Sequence, residues 1–195
     1  DPELLRTLST RELRTGLAEV LKYGFIVDKD LLEYLDGHRE DIFNLETAPL
    51  SRIIHKSCSI KAQIVREDER EKGKRALLNF GHTIGHALEA VTDYKKYTHG
   101  EAIAIGMAAA AELSHRVAGL DKEAVDYLKK LLSDYSLPLS CQHGEKPDEV
   151  YERLFYDKKV QKDRLRWILL KEPGEAYIDE SVDNNIVREV LEGIV

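Results

Sequence analysis

The run Arg75-Ala-Leu-Leu-Asn-Phe-Gly-His-Thr-Ile-Gly-His-Ala-Leu-Glu89, with His99-Gly-Glu101 soon after it, constrains this chain more than any other stretch. On a helix at about 100° per residue, Leu77, Phe80, Ile84, Leu88 and Val91 gather on one side as a core-facing stripe. Arg75, Asn79, His82 and His86 line the opposite side. A solvated helix face is usually built from Glu, Lys, Gln and Ala. Here the row is a guanidinium, a carboxamide and two imidazoles: an anion clamp, a hydrogen bonder, and two groups able to hold metal or move protons. Gly81 and Gly85 would each cost about 1 kcal/mol in a helix interior. Their place beside the row predicts that a ligand or another helix approaches the backbone there. The pattern predicts a functional face.

The remaining totals narrow the class. A chain of 195 residues suffices for one sizeable domain, and 43% hydrophobic with 33% charged residues is ordinary for a globular protein. The net charge of −7 and the scattered basic residues argue against a general nucleic-acid binder. Cys58 and Cys141 form neither a metal-type nor a redox-type pair, which predicts a reducing compartment and no disulfide framework. No apolar run reaches membrane-spanning length, and the first residues do not read as a signal peptide. The expectation is a cytoplasmic protein with no membrane partner. The chain starts without Met, so a fragment is also expected.

Taken in order, Ser9 or Thr10 caps a helix with Leu13, Leu17, Val20 and Leu21 as its buried stripe. Thr15, Glu19 and Lys22 lie roughly opposite, and Glu19 with Lys22 reads first as an i,i+3 surface ion pair worth a few tenths of a kcal/mol. A short helix is predicted from Asp28 to Leu35, ended by Gly37. A long one should run from Thr47 or Pro49 towards Arg70, with Leu50, Ile53, Ile54, Ser57, Ile60 and Ile64 on its apolar side; Lys61 reads as a snorkelling surface lysine. Gly73 breaks the charged run 66–75, and Arg75 opens the central helix. The stretch Glu101–Glu112 is small and apolar almost all round, as in a fully buried helix. Asp121 caps a helix through Asp134, 137–147 is a loop, and Pro147 or Asp148 starts a helix to about Tyr156. Leu165–Leu170 and Ala176–Ile178 flank Pro173-Gly174 as a β-hairpin, and Ser181 caps a last helix to Leu191. The expected fold is mainly α, one multi-helix domain over residues 1–195 with a small β-hairpin.

Spacing alone leaves the chemistry open. His82 and His86, at i,i+4, could chelate one metal ion, with His99, Glu101 or Glu19 as a third ligand. His38, His55, His115 and His143 have no organised company. No Gly-rich loop follows a strand, so no nucleotide site is visible, and no Ser or Cys nucleophile stands beside a base.

The run 68–89, His99-Gly-Glu101, Gly16-Leu-Ala-Glu-Val-Leu-Lys-Tyr-Gly24, Asp157-Lys-Lys159 and the hairpin together resemble the 3-dehydroquinate synthase family over nearly the whole chain. The likeness is to the helical C-terminal domain only; the family's N-terminal α/β domain, with most of the NAD contacts, lies outside this sequence. Residue by residue, the resemblance implies zinc, or cobalt in its place, on Glu19, His82 and His99. It makes His86 a proton-relay group facing substrate rather than a ligand. It further implies substrate contacts from Lys22, Lys61, Arg75, Asn79 and one of Lys158 and Lys159, with Lys22, Arg75, Asn79 and His86 as the catalytic set.

The implied reaction converts 3-deoxy-D-arabino-heptulosonate 7-phosphate into 3-dehydroquinate and phosphate, a shikimate-pathway lyase step. It runs by NAD-assisted oxidation, phosphate elimination, reduction and aldol closure. The implied partners are a small phosphorylated sugar acid, the N-terminal NAD-binding domain of the same parent and a second copy in a homodimer; activity of the isolated domain is not expected. Lys22, Lys61, Arg75 and Asn79 suit a substrate carrying carboxylate and phosphate. The rival readings are another sugar-phosphate cyclase, a metal- and NAD-dependent polyol dehydrogenase, and a non-catalytic helical metal-binding or interaction module. A neutral polyol would need no such cationic clamps.

Overall fold

A computed structural model describes residues 1–70, 73–156 and 165–195. After a 3₁₀ turn at Pro2–Thr7, the Ser9 hydroxyl accepts the Glu12 N–H and starts α1 (Thr10–Val27). The Asp28 carboxylate does the same for Leu31 and starts α2 (Lys29–Gly37). The short α3 (Arg39–Phe43), which periodicity does not reveal, leads to α4 (Thr47–Glu67). A second 3₁₀ turn, Lys74–Asn79, precedes α5 (His82–Val91) and α6 (His99–Ala118). Then come α7 (Lys122–Asp134), α8 (Pro147–Tyr156), the antiparallel hairpin β1 (Trp167–Glu172) and β2 (Glu175–Asp179), and α9 (Asn184–Ile194). The expected class, mainly helical with one small hairpin, is the observed one. Several predicted boundaries move: α6 extends beyond the expected Glu101–Glu112 and α9 runs past Leu191 to Ile194. Asp183 rather than Ser181 caps α9, because Ser181 turns its hydroxyl to Asp179 while Asp183 accepts the Asn185 N–H. Helix α4 stops at Glu67, short of Arg70, where the Asp68 carboxylate collects the backbone N–H groups of Gly73 and Arg75.

Helix α6 is the wall between two cores. Its Ile103, Ala104, Met107, Ala108 and Ala111 belong to a core shared with residues of α1, α2, α4 and α7, while Ala102, Ile105, Ala109 and Leu113 belong to one shared with residues of α5, α8 and α9. A helix buried on both sides needs apolar residues all round, which is why this stretch has no polar face. Strand β1 follows the same logic with period two: Ile168 and Leu170 enter the first core, Trp167 and Leu169 the second. Ser114, buried in α6, donates to Ala110 O (2.6 Å) and accepts the Leu170 N–H (2.9 Å), docking the hairpin onto the wall.

The central helix expected from Arg75 onward is broken. Gly81 adopts the left-handed conformation (φ 79°), which separates the Lys74–Asn79 turn from α5. The cause is the close passage of α6: a Cβ on Gly106 would lie 1.9 Å from Gly81 O, and one on Gly81 would lie 2.7 Å from Ile103 O. The glycines read as costs inside a helix are therefore a junction, and the approaching partner is α6. Leu77, Phe80, Ile84 and Leu88 nevertheless all reach the interior. Arg75 does not share a helix face with the two histidines; its guanidinium donates to Glu69 O.

Candidate metal centre

Three helices meet where α6 begins. The Thr98 hydroxyl and the Glu101 carboxylate form a reciprocal capping box that fixes the first turn of α6 and so aims His99. Gly100 allows that turn onto α1, since a Cβ there would lie 2.3 Å from Thr15 O; Thr15 Oγ1 also donates to Thr98 Oγ1 (2.6 Å). One turn further along α1 stands Glu19. His82, first residue of α5, is set beside it by the Gly81–Gly106 junction. Ligand atoms of Glu19, His82 and His99 thereby lie within 4.8 Å of one another. Glu101 is not among them: besides capping, it pairs with Arg11. This removes it from the third-ligand choices that spacing had left open.

The atoms are aimed as ligands are. His82 Nδ1 faces Phe80 O (3.1 Å) and His99 Nδ1 faces Glu89 Oε1 (3.1 Å), so each Nδ1 is occupied and each Nε2 turns inward. Glu19 Oε1 lies 3.6 Å from His82 Nε2 and 3.9 Å from His99 Nε2, buried and without a hydrogen-bond partner among the described residues. A tetrahedral ion with arms of about 2.0–2.1 Å holds its donors roughly 3.3 Å apart. The two carboxylate–imidazole separations, 3.6 and 3.9 Å, come near that spacing, so the donor set suits such an ion. The other carboxylate oxygen, Oε2, accepts from Lys22 Nζ at 2.7 Å. Lys22 is only 2% exposed, so the pair read as a surface contact is an interior one.

Charge follows from the same burial. Burial pushes the Glu19 carboxyl up, but the Lys22 ammonium with its hydrogen bond, and the two facing imidazoles, outweigh it and hold the group below its ordinary value. Burial lowers Lys22, opposed by Glu19. Burial, with the Lys22 charge next, drives His82 down to about 4. His82 is therefore neutral near pH 7, the form that donates a lone pair to metal. His86 is exposed, its ring centroid 5.3 Å from that of His82. With Asn79, His82, Thr83, Glu89, Tyr94 and Arg153 it lines a cleft of about 610 Å³, large enough for a small polar metabolite.

A family model described as 3-dehydroquinate synthase C-terminal matches residues 16–160. The chain belongs to that family. 3-Dehydroquinate synthase from Legionella pneumophila (strain Lens) is 40% identical over 195 residues, covering 100% of this chain and 53% of the relative. The enzyme from Methylacidiphilum infernorum is 45% identical over 196 residues, 98% of this chain and 52% of its own length. The chain thus spans about half the length of the curated relatives it matches. Two solved structures share the fold over 100% of the chain. One is 2-epi-5-epi-valiolone synthase from Streptomyces hygroscopicus, with NAD+ and Zn2+ bound (TM-score 0.89, 24% identity, 54% of that chain). The other is 2-deoxy-scyllo-inosose synthase with carbaglucose-6-phosphate, NAD+ and Co2+ (TM-score 0.84, 28% identity, 56% of that chain).

The remaining residues named from the 3-dehydroquinate synthase resemblance are distributed unevenly. Lys61 is exposed on α4, close enough for its charge to act on Lys22. Asn79 joins the cleft, and Arg75 lies against the 68–70 turn. Lys158 and Lys159 lie outside the described residues. Sequence reasoning missed Glu89, buried at 8% exposure and bonded to His99. Its signal was available: a carboxylate one turn after His86, flanked by Ala87, Leu88 and Ala90, does not belong on a solvated face.

Proposed function

We propose that this chain is the metal- and substrate-holding half of a 3-dehydroquinate synthase, acting on 3-deoxy-D-arabino-heptulosonate 7-phosphate together with an NAD-binding N-terminal domain. One observation carries the reading: the buried Glu19 Oε1 faces the Nε2 atoms of His82 and His99 with no hydrogen-bond donor of its own among the described residues. The identity of 40–45% to 3-dehydroquinate synthases, against 24–28% to the two other cyclases, favours that reaction over another carbocycle. The partly cationic surroundings disfavour a polyol dehydrogenase.

Glu19, His82 and His99 would hold zinc or cobalt. Such an ion would supply Lewis-acid polarisation of the substrate hydroxyl to be oxidised. The chain's own groups do the rest. Lys22 pins Glu19 through one of its three N–H donors and adds positive charge to the wall of the site. Asn79 orients a substrate hydroxyl or carboxylate from the cleft, and Lys61 and Arg75 draw the anionic ends of the substrate. His86, exposed beside His82, takes and returns protons as the phosphate leaves. Much of the rate comes from holding one flexible sugar acid in successive reactive poses. A homodimer is part of the same proposal.

Calorimetric zinc titration of this chain beside His82→Ala and His99→Ala tests the site. One-to-one binding lost in both variants is expected, and binding unchanged in both refutes the ligand set. Phosphate release from the heptulosonate phosphate by the complete parent then tests the reaction. Release from another sugar phosphate alone would assign a different cyclase.

A further inference from the structure

The two histidines of the triad are tethered differently. His82, 12% exposed at its side chain, gives Nδ1 to a backbone carbonyl that the fold already fixes. His99 is 43% exposed and opens its helix, its ring edged by those of His82 and His86 at centroid distances of 5.3 and 6.0 Å. Among the described residues its ring hydrogen-bonds Glu89 Oε1, on a side chain only 11% exposed. A buried carboxylate is costly unless a donor meets it, and here the donor is the imidazole N–H of His99. A neutral imidazole that donates from Nδ1 must present a bare lone pair at Nε2, the atom that faces Glu19 Oε1.

With Glu19, His82 and His99 taken as ligands, as proposed above, we infer that Glu89 is a positioning residue. It fixes His99 in the Nδ1–H tautomer and aims its Nε2 at the metal position. The rival use of the same atoms is as a second ligand set. His86, Glu89 and His99 also bring ligand atoms within 4.8 Å of one another, which would make Glu89 a ligand itself.

The experiment needs no activity. Long-range proton–nitrogen NMR of the metal-free chain at pH 8 reads the His99 tautomer, and calorimetry reads zinc affinity and stoichiometry, for the wild type, Glu89→Ala and Glu89→Gln. Melting curves are run on all three, and Gln covers the case in which Ala fails to fold. The wild type should show His99 protonated at Nδ1. Glu89→Ala should revert towards the Nε2–H form and bind zinc about 10- to 100-fold more weakly. Glu89→Gln keeps an acceptor oxygen and should recover most of both. An unaltered tautomer and affinity in Glu89→Ala would overturn the inference. So would a second zinc equivalent that disappears in both Glu89→Gln and His86→Ala. A tautomer that follows Glu89 in a chain that binds no zinc would sustain the positioning role and sink the metal reading instead.

Discussion

Helix α6 meets a polar partner at each end, and the two ends are finished in different ways. Towards its C-terminus, Ser114 is fully buried and spends both its donor and its acceptor, on Ala110 O and on the Leu170 N–H. At its first residue, His99 faces a carboxylate oxygen, Glu19 Oε1, that is buried and has no hydrogen-bond partner among the described residues. The oxygens compared, Ser114 Oγ and Glu19 Oε1, are both buried, where an unmade hydrogen bond costs about 1–3 kcal/mol. Closed hydrogen bonding marks architecture; a polar atom left open among oriented nitrogens marks a place for a ligand.

Zinc binding should break this comparison most sharply. His82→Ala is expected to abolish one-to-one binding, at least a 100-fold loss by calorimetry, while His86→Ala retains it; equal losses would erase the distinction between the two histidines. Next in size is Gly106→Ala, whose Cβ would sit 1.9 Å from Gly81 O. Forcing α5 and α6 apart should cost roughly 1–3 kcal/mol or more in urea unfolding, and should weaken zinc as well, because His82 and His99 ride on those two helices. A midpoint within error of wild type would show the junction to be compliant.

The closed end should respond in stability alone. Ser114→Ala leaves the Leu170 N–H unpaired and is expected to destabilise by about 1–3 kcal/mol, lowering Tm by roughly 2–4 °C per kcal/mol, with zinc affinity unchanged. A parallel loss of zinc affinity would couple the two ends of the helix.

Outside both ends lies a half-buried thiol, Cys141. Burial, with Glu145 next, raises Cys141 to about 12, whereas Cys58 is exposed on α4. At pH 8 iodoacetamide should label Cys58 and spare Cys141. A raised folded-state value means that the stabilisation is complete below the unfolded thiol value near 8.5 and fades as pH climbs from there towards 12. Unfolding followed between pH 8 and 11 should show a slope to which the buried tyrosines Tyr23 and Tyr135 also contribute, and Cys141→Ala should lessen it.

Much of the architecture could be read in the chain because local rules and tertiary packing agree there. The caps at Ser9 and Asp28, the apolar run of α6 and the Pro-Gly hairpin each state their structure within a few residues. The central helix misled because its hydrophobic period continues across Gly81 although the backbone does not; the break is imposed by Gly106, a contact no local pattern contains. The site was harder still. Spacing paired His82 with His86 and left His99, Glu101 or Glu19 open as a third ligand; the structure brings together ligand atoms of Glu19, His82 and His99, and also of His86, Glu89 and His99, and only the family resemblance had named the first set whole. Lys22 looked like surface charge because burial is set by elements far away in sequence. Among the described residues no helix is long and apolar enough to cross a membrane, in line with the absence of such a run in the sequence.

The spread of the triad over three helices has a mechanical side. An ion gripping α1, the start of α5 and the start of α6 would act as a cross-link, closing in one step the long loop from Glu19 to His82 and the shorter one from His82 to His99. The unfolded chain could not hold the same three atoms together without losing the entropy of both loops. Amide exchange should therefore slow on zinc addition throughout α1, α5 and the first half of α6, and stay unaltered in α9, which hangs outside the loops.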